Sequence, residues 1–385
     1  MKPKEIVAAA MRMERPPRVP VMCQLANGHT VINTGVHPID YFTSDEIWAD
    51  CLLRMRSIYD FDGILCHKPG RVHGLMDLVE RSDFDAPTPT LFLKDGARIE
   101  CTRDDDSYYK PPPGFRRPTL DELDLDDLLG WAPVSFRAFQ ASKATIPAQR
   151  PEDLPDHVFG LLDRVLAKAG KEYSVHGEVR SPFDHLLNIL GMEEGLMALL
   201  DNPERCFAVL DRLTQWSCAL AVAQVRRGAD AIKVSSPFAG RGFLSPEMYE
   251  QFILPFETRL AAAVTAAGAP IYTHTCGAIG DRLELMCRAG VSGIECLDPP
   301  PLGDVEILDA VSRLRGRLFI KGNVDPVNTL LRGTGEQIRR DVRKVLDAAR
   351  DLDGFILSSA CSVAPPTPPD NLLRMVEVCR QYAIE

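Results

Sequence analysis

Short β-branched or apolar runs recur along the chain, each followed by a longer stretch with helical spacing, and this rhythm limits the fold more than any other feature. The runs are Arg18–Met22, Asp62–His67, Tyr173–Val179, Ala231–Ser236, Pro270–Cys276, Gly293–Asp298, Leu318–Val324 and Phe355–Cys361. Strands that alternate with helices predict a parallel sheet covered by helices. Eight such units in one chain predict a closed (β/α)8 TIM barrel. The helical stretches carry start signals. Ser245-Pro246-Glu247 places an N-cap serine before a proline, Gly333-Thr334-Gly335-Glu336 leads into a helix ending near Arg350, and Thr367–Asp370 precedes a last helix over Asn371–Tyr382.

Residues 84–156 break the rhythm. They are rich in Pro and Asp, and they hold one hairpin signal: Leu91–Leu93, a turn at Asp95-Gly96, then Arg98–Thr102. This region reads as an insertion or cap over one end of the barrel, which leaves residues 1–385 as a single domain. The chain's 385 residues allow that reading and also allow two domains.

Composition excludes several classes of function. A net charge of −10 argues against non-specific nucleic-acid binding, which needs Lys and Arg to neutralise phosphates. No apolar run reaches the roughly 20 residues that cross a bilayer. The N-terminal stretch MKPKEIVAAAMRMERPP reads as a short amphipathic helix with no cleavage site, so no export is expected. Eleven cysteines, an odd number in a large chain, predict thiols in a reducing cytoplasm rather than disulfides.

A few of those thiols stand out by position. In a barrel the chemistry lies at the C-terminal ends of the strands. His274 and Cys276 end the fifth run two residues apart, so they share a face. Cys361 ends the eighth run, and Glu295 lies in the sixth. Imidazole and thiolate together select zinc, and three fixed ligands with a replaceable fourth make a catalytic site. An H-x-C pair alone is a weak signal that chance often produces; the second cysteine at another strand end strengthens it. Cys206, Cys218, Cys287 and Cys379 fall in helix patterns and read as core, Cys23, Cys66 and Cys296 lie near strand ends as weaker candidates, and Cys51 and Cys101 carry no signal.

Four stretches resemble the uroporphyrinogen decarboxylase superfamily, and within it the zinc-dependent, corrinoid-linked methyltransferases. They are GADAIKVSSPFAGRGFLSPEMYEQFILPF, YTHTCG, FIKGNVDPVNTLLRGTGEQI and SSACSVAPPTPPDNLLRMVE. The resemblance implies that His274, Cys276 and Cys361 are the zinc ligands. A similar zinc set with a carboxylate on the next strand, in cobalamin-independent methionine synthases, implies Glu295 as a fourth. True decarboxylases carry an arginine-rich M-R-Q-A-G-R loop after the first strand, where this chain has Met22–His29 without arginine, and an Asp where it has Cys66-His67-Lys68. A porphyrinogen with eight carboxylates wants cations, so a lyase or tetrapyrrole-binding protein is the weaker alternative.

The resemblance further implies methyl transfer between a small substrate, a methoxy compound or a thiol, and a corrinoid protein. Zinc would either hold a thiol acceptor as thiolate or polarise a methoxy oxygen, with the second role marginally preferred. The D-x-H-x-x-G pattern of a cobalt-binding domain is absent, so methylcobalamin would be a co-substrate on a separate partner. A homodimer is compatible with the sequence without being read from it. Three softer candidates complete the site. Glu178, with His176 on the same face, ends the third run as a general acid or a substrate hydrogen-bonding group, against a plain salt bridge. His67 ends the second run, against a packed loop histidine, and Asn323 ends the seventh beside Asp325, against a turn whose Asp caps a helix. Lys233, inside the fourth run, would need Glu178 or Glu295 as partner if buried.

Overall fold

A computed structural model describes residues 1–70 and 74–383. In chain order the strands are β1 (Gly63–Leu65), β2 (Val79–Asp83), β3 (Thr90–Leu93), β4 (Arg98–Cys101), β5 (Ser107–Lys110), β6 (Ser174–Arg180), β7 (Ala231–Ser235), β8 (Ile271–Thr275), β9 (Gly293–Cys296), β10 (Phe319–Val324) and β11 (Phe355–Ser359). Among the described residues, seven form one sheet in the order β1-β6-β7-β8-β9-β10-β11. Every neighbouring pair in it is parallel, so the sheet curls with helices outside it. Seven of the eight expected runs therefore appear as strands of one parallel sheet.

The first run differs. Arg18–Met22 forms no named strand, and Val21 makes an isolated parallel bridge to Leu357. Met22 N–H donates to Leu357 O at 3.0 Å, Leu357 N–H donates to Pro20 O at 2.9 Å, and Asp62 N–H donates to Val21 O at 2.8 Å. The segment thus bonds toward both outer strands, but Pro20 has no N–H to give the ladder and breaks the regular pairing.

The helix signals have local causes that hold in three dimensions. Ser245 Oγ accepts from Met248 N–H at 3.2 Å, with Pro246 opening the helix Pro246–Phe252. Thr334 caps Gly335–Ala348, whose buried residues Ile338, Val342, Val345 and Leu346 make one apolar stripe. The N-terminal helix Pro3–Met11 sends Val7, Ala10 and Met11 among Met22, Leu65, Ala231, Tyr272, Phe319 and Ile356. These residues lie near the strand starts, so the helix plugs the foot of the curled sheet. Burial of each large side chain there contributes roughly 1.5–3 kcal/mol. No helix among the described residues is long and apolar enough to cross a membrane.

The remaining strands form a four-stranded antiparallel sheet, β2-β3-β4-β5. The turn joining β3 to β4 carries Gly96 at φ +86°, as the Asp-Gly signal predicts. This sheet starts at Val79, ahead of the expected boundary at 84. Its turn between β4 and β5 reaches the C-terminal end of the large sheet, where Asp106 pairs with Lys143 at 2.7 Å and accepts from Asn27 at 3.2 Å.

Candidate metal centre

The sequence places three donors at two strand ends, and the register brings them together. His274 and Cys276 share the inward face at the end of β8, and Cys361 lies two residues past β11. His274 Nε2 is 3.4 Å from Cys276 Sγ and 3.8 Å from Cys361 Sγ, and the two sulfurs are 3.6 Å apart. Four metal bonds of about 2.3 Å in a tetrahedron separate neighbouring donors by about 3.8 Å. The donor set therefore fits zinc in both softness and spacing. Cys276 and Cys361 are partly exposed while His274 is buried, so the group is reached from the sulfur side.

A fourth side chain that could hold a metal lies with them. The ligand atoms of His274, Cys276, Cys296 and Cys361 all lie within 4.8 Å of one another. Glu295 lies outside this group. Its Oε2 meets His274 Nδ1 at 2.8 Å, on the ring edge opposite the sulfurs, and its Oε1 accepts from Lys321 Nζ. Burial opposes ionisation of Glu295, yet Lys321, His274 and Lys233 hold its carboxyl below the usual range. The neighbouring thiols of Cys276 and Cys296 hold the Cys361 thiol well below its ordinary value.

Behind the metal group a chain of charges crosses the sheet interior. Lys233 Nζ is fully buried, 4.0 Å from Glu295 Oε2, 3.2 Å from Glu178 Oε1 and 2.5 Å from Gln24 Oε1. Both expected partners of Lys233 are thus present. Gln24 in turn donates to Ser362 Oγ at 2.6 Å, beside Cys361. Glu178 Oε2 lies 3.4 Å from His67 Nδ1, and His67 Nε2 meets Leu25 O at 3.0 Å. Burial pushes the Glu178 carboxyl up, but Lys233 and His67 win and bring it down to about 2.

His67 and Glu178 share a cavity of about 500 Å³ with Gln24, Lys68, Asp106 and Lys143. The structure does not bring Asn323 there. Its Nδ2 donates to Leu297 O at 2.9 Å and Val305 O at 3.3 Å, and it lines a separate cavity of about 320 Å³ beside Pro299–Pro301. Asp325 next to it accepts from Val327 and Asn328 N–H, each at 2.7 Å, and so caps the next helical turn. His176 is buried between Ser174 Oγ and Tyr272 Oη, each at 3.0 Å.

Sequence reasoning missed Lys321, Gln24 and Asp298 and ranked Cys296 low. A lysine inside an otherwise apolar run, FIKGNV as in AIKVSS, is the signal that could have found Lys321.

Residues 133–382 match the family described as Uroporphyrinogen decarboxylase (URO-D). The chain belongs to that family. Within and beside the URO-D family its relatives divide by activity. It is 32% identical over 215 residues to "Methylcobamide:CoM methyltransferase MtbA" of Methanosarcina acetivorans, covering 56% of this chain and 60% of that protein. It is 26% identical over 227 residues to "Methylated-thiol--coenzyme M methyltransferase" of Methanosarcina mazei, covering 59% and 58%. It is 28% identical over 265 residues to the uroporphyrinogen decarboxylase of Streptomyces avermitilis, covering 66% and 71%. The match thus spans 60% of the length of the MtbA relative. In three dimensions the chain resembles a methyltransferase from Methanosarcina mazei with a TM-score of 0.73 at 18% identity, over 99% of both chains.

Proposed function

We propose that this chain is a zinc-dependent methyltransferase that moves a methyl group between a thiol and a corrinoid carried by a partner protein. The single observation behind this reading is the convergence of His274, Cys276 and Cys361 at 3.4–3.8 Å. Bound zinc would hold a thiol as thiolate at neutral pH, which is the form that exchanges a methyl group. Both methyltransferase relatives are named for coenzyme M, a thiol, which favours a thiol over a methoxy substrate.

The chain's own residues do the rest. Glu295 orients the His274 ring, and Lys321 keeps that carboxylate ionised. Lys233 holds Glu178 charged at the cavity wall, and Leu25 O fixes the His67 ring beside it. Glu178 and His67 then offer the substrate's polar groups fixed hydrogen-bonding partners. Residues 1–385 act in this reading as one (β/α)8 barrel, with Pro20–Met22 as the eighth strand and 84–156 as its cap. The bonds from Val21 and Met22 to the outer strands support that.

The test is metal analysis joined to an assay. Purified protein should hold about one zinc per chain, and it should transfer a methyl group from methylcobalamin to a thiol. Cys361→Ala should lose both. Decarboxylation of a porphyrinogen by zinc-free protein would favour the lyase reading, which the decarboxylase relatives keep in view.

A further inference from the structure

Cys296 ends β9, paired in register with Thr275 rather than with His274. Side chains alternate along a strand, so a regular continuation would turn its thiol away from the face that holds His274 and Glu295. The backbone prevents this. Cys296 has φ 87° and Leu297 has φ 57°, two successive non-glycine residues in left-handed conformation. Each costs on the order of 1 kcal/mol, and such strain persists where the surroundings enforce it. Its result is a sulfur brought within 4.8 Å of the other three donors.

Cys296 also differs from the other two thiols in its bonding. The hydrogen-bond contacts of Cys276 Sγ and Cys361 Sγ stay inside the group. Cys296 Sγ donates outward, to Asp298 Oδ2 at 3.2 Å, and that same oxygen accepts from Gly277 N–H at 2.8 Å. The carboxylate is thus fixed by the loop that follows β8, within reach of a released thiol.

We propose that Cys296 is the exchangeable fourth zinc ligand, bound to the metal at rest and transferred to Asp298 when a thiol substrate takes its place. This rests on the zinc-methyltransferase reading and deepens it. The exchange is thiolate for thiolate. The incoming thiol loses its proton to the Cys296 sulfur, the zinc–sulfur bond of Cys296 breaks as that of the substrate forms, and the new Cys296 S–H donates to Asp298. Total charge at the site stays constant, so no charge is stranded in a buried place. The device also selects the substrate class: a ligand must compete with a thiolate, which water and alcohols do poorly at zinc.

The experiment counts sulfurs. Zinc-edge X-ray absorption on the unaltered protein should find three sulfurs at rest and three after adding 2-mercaptoethanol. Cobalt-substituted Cys296→Ser should lose about one third of the sulfur-to-metal absorption, one thiolate in three, and regain it with 2-mercaptoethanol. Two sulfurs at rest, or a fourth after adding the thiol, would overturn the proposal. So would a Cys296→Ser spectrum equal to that of the unaltered protein. Absence of any metal in the unaltered protein would instead sink the zinc reading itself, which keeps the two failures apart.

Discussion

Nδ1 of His274 and Oε2 of Glu295 lie 2.8 Å apart, and this contact fixes which ring nitrogen faces the sulfurs. An ionised carboxylate only accepts, so a hydrogen sits on Nδ1, and Nε2, which faces Cys276 and Cys361, is the nitrogen that would bind zinc. Glu295→Gln should therefore keep the metal stoichiometry while weakening zinc binding by about 10–100-fold. Competition with a coloured chelator measures this. Complete loss of zinc from the variant would mean that Glu295 is itself a ligand.

Lys233 is fully buried against Glu178 and near Glu295. Lys233→Met strands a carboxylate and should cost about 3–5 kcal/mol of stability. Lys233→Met combined with Glu178→Gln should recover most of that. Denaturant unfolding of both variants gives the comparison, and additive losses would contradict the pairing.

The fold is legible where chemistry repeats and obscure where tertiary contacts decide. Seven runs became strands because short, mostly apolar stretches suit a sheet covered on both faces. Pro20 interrupted the first run, a cost visible in the sequence but outweighed there by the rhythm of the rest. His274, Cys276 and Cys361 were readable because each sits at or just past a strand end. Cys296 was not, since period-two alternation points it outward and only the left-handed turn at 296–297 reverses that. Glu295 was legible as an inward carboxylate, but its claim by Lys321 depends on the neighbouring strand β10, where Lys321 stands in register with it.

Glu257 is buried beside Tyr249 Oη at 3.1 Å, and burial raises its carboxyl to about 7. Its pKa is higher folded than unfolded, so the unfolded chain ionises first as pH rises. Stability should fall between about pH 4.5 and 7 and then level, by at most about 3 kcal/mol at 1.36 kcal/mol per pH unit. Glu257→Gln removes the titration. A melting curve series in which the variant keeps the same slope over that window would refute the assignment.

Zinc that binds the folded chain alone stabilises it by mass action, about 2.7 kcal/mol at free metal 100 times the Kd. Chelation should lower the melting temperature of the parent protein. Cys361→Ala should show no shift with chelator. An equal shift in both would place the metal elsewhere.

The helix Pro3–Met11, wedged through Val7, Ala10 and Met11 into the foot of the sheet, stoppers the end away from the sulfurs. Cys276 and Cys361 keep partial exposure at the other end, so a molecule that meets them arrives from that side. A helix that contributes no donor thus sets the direction of approach.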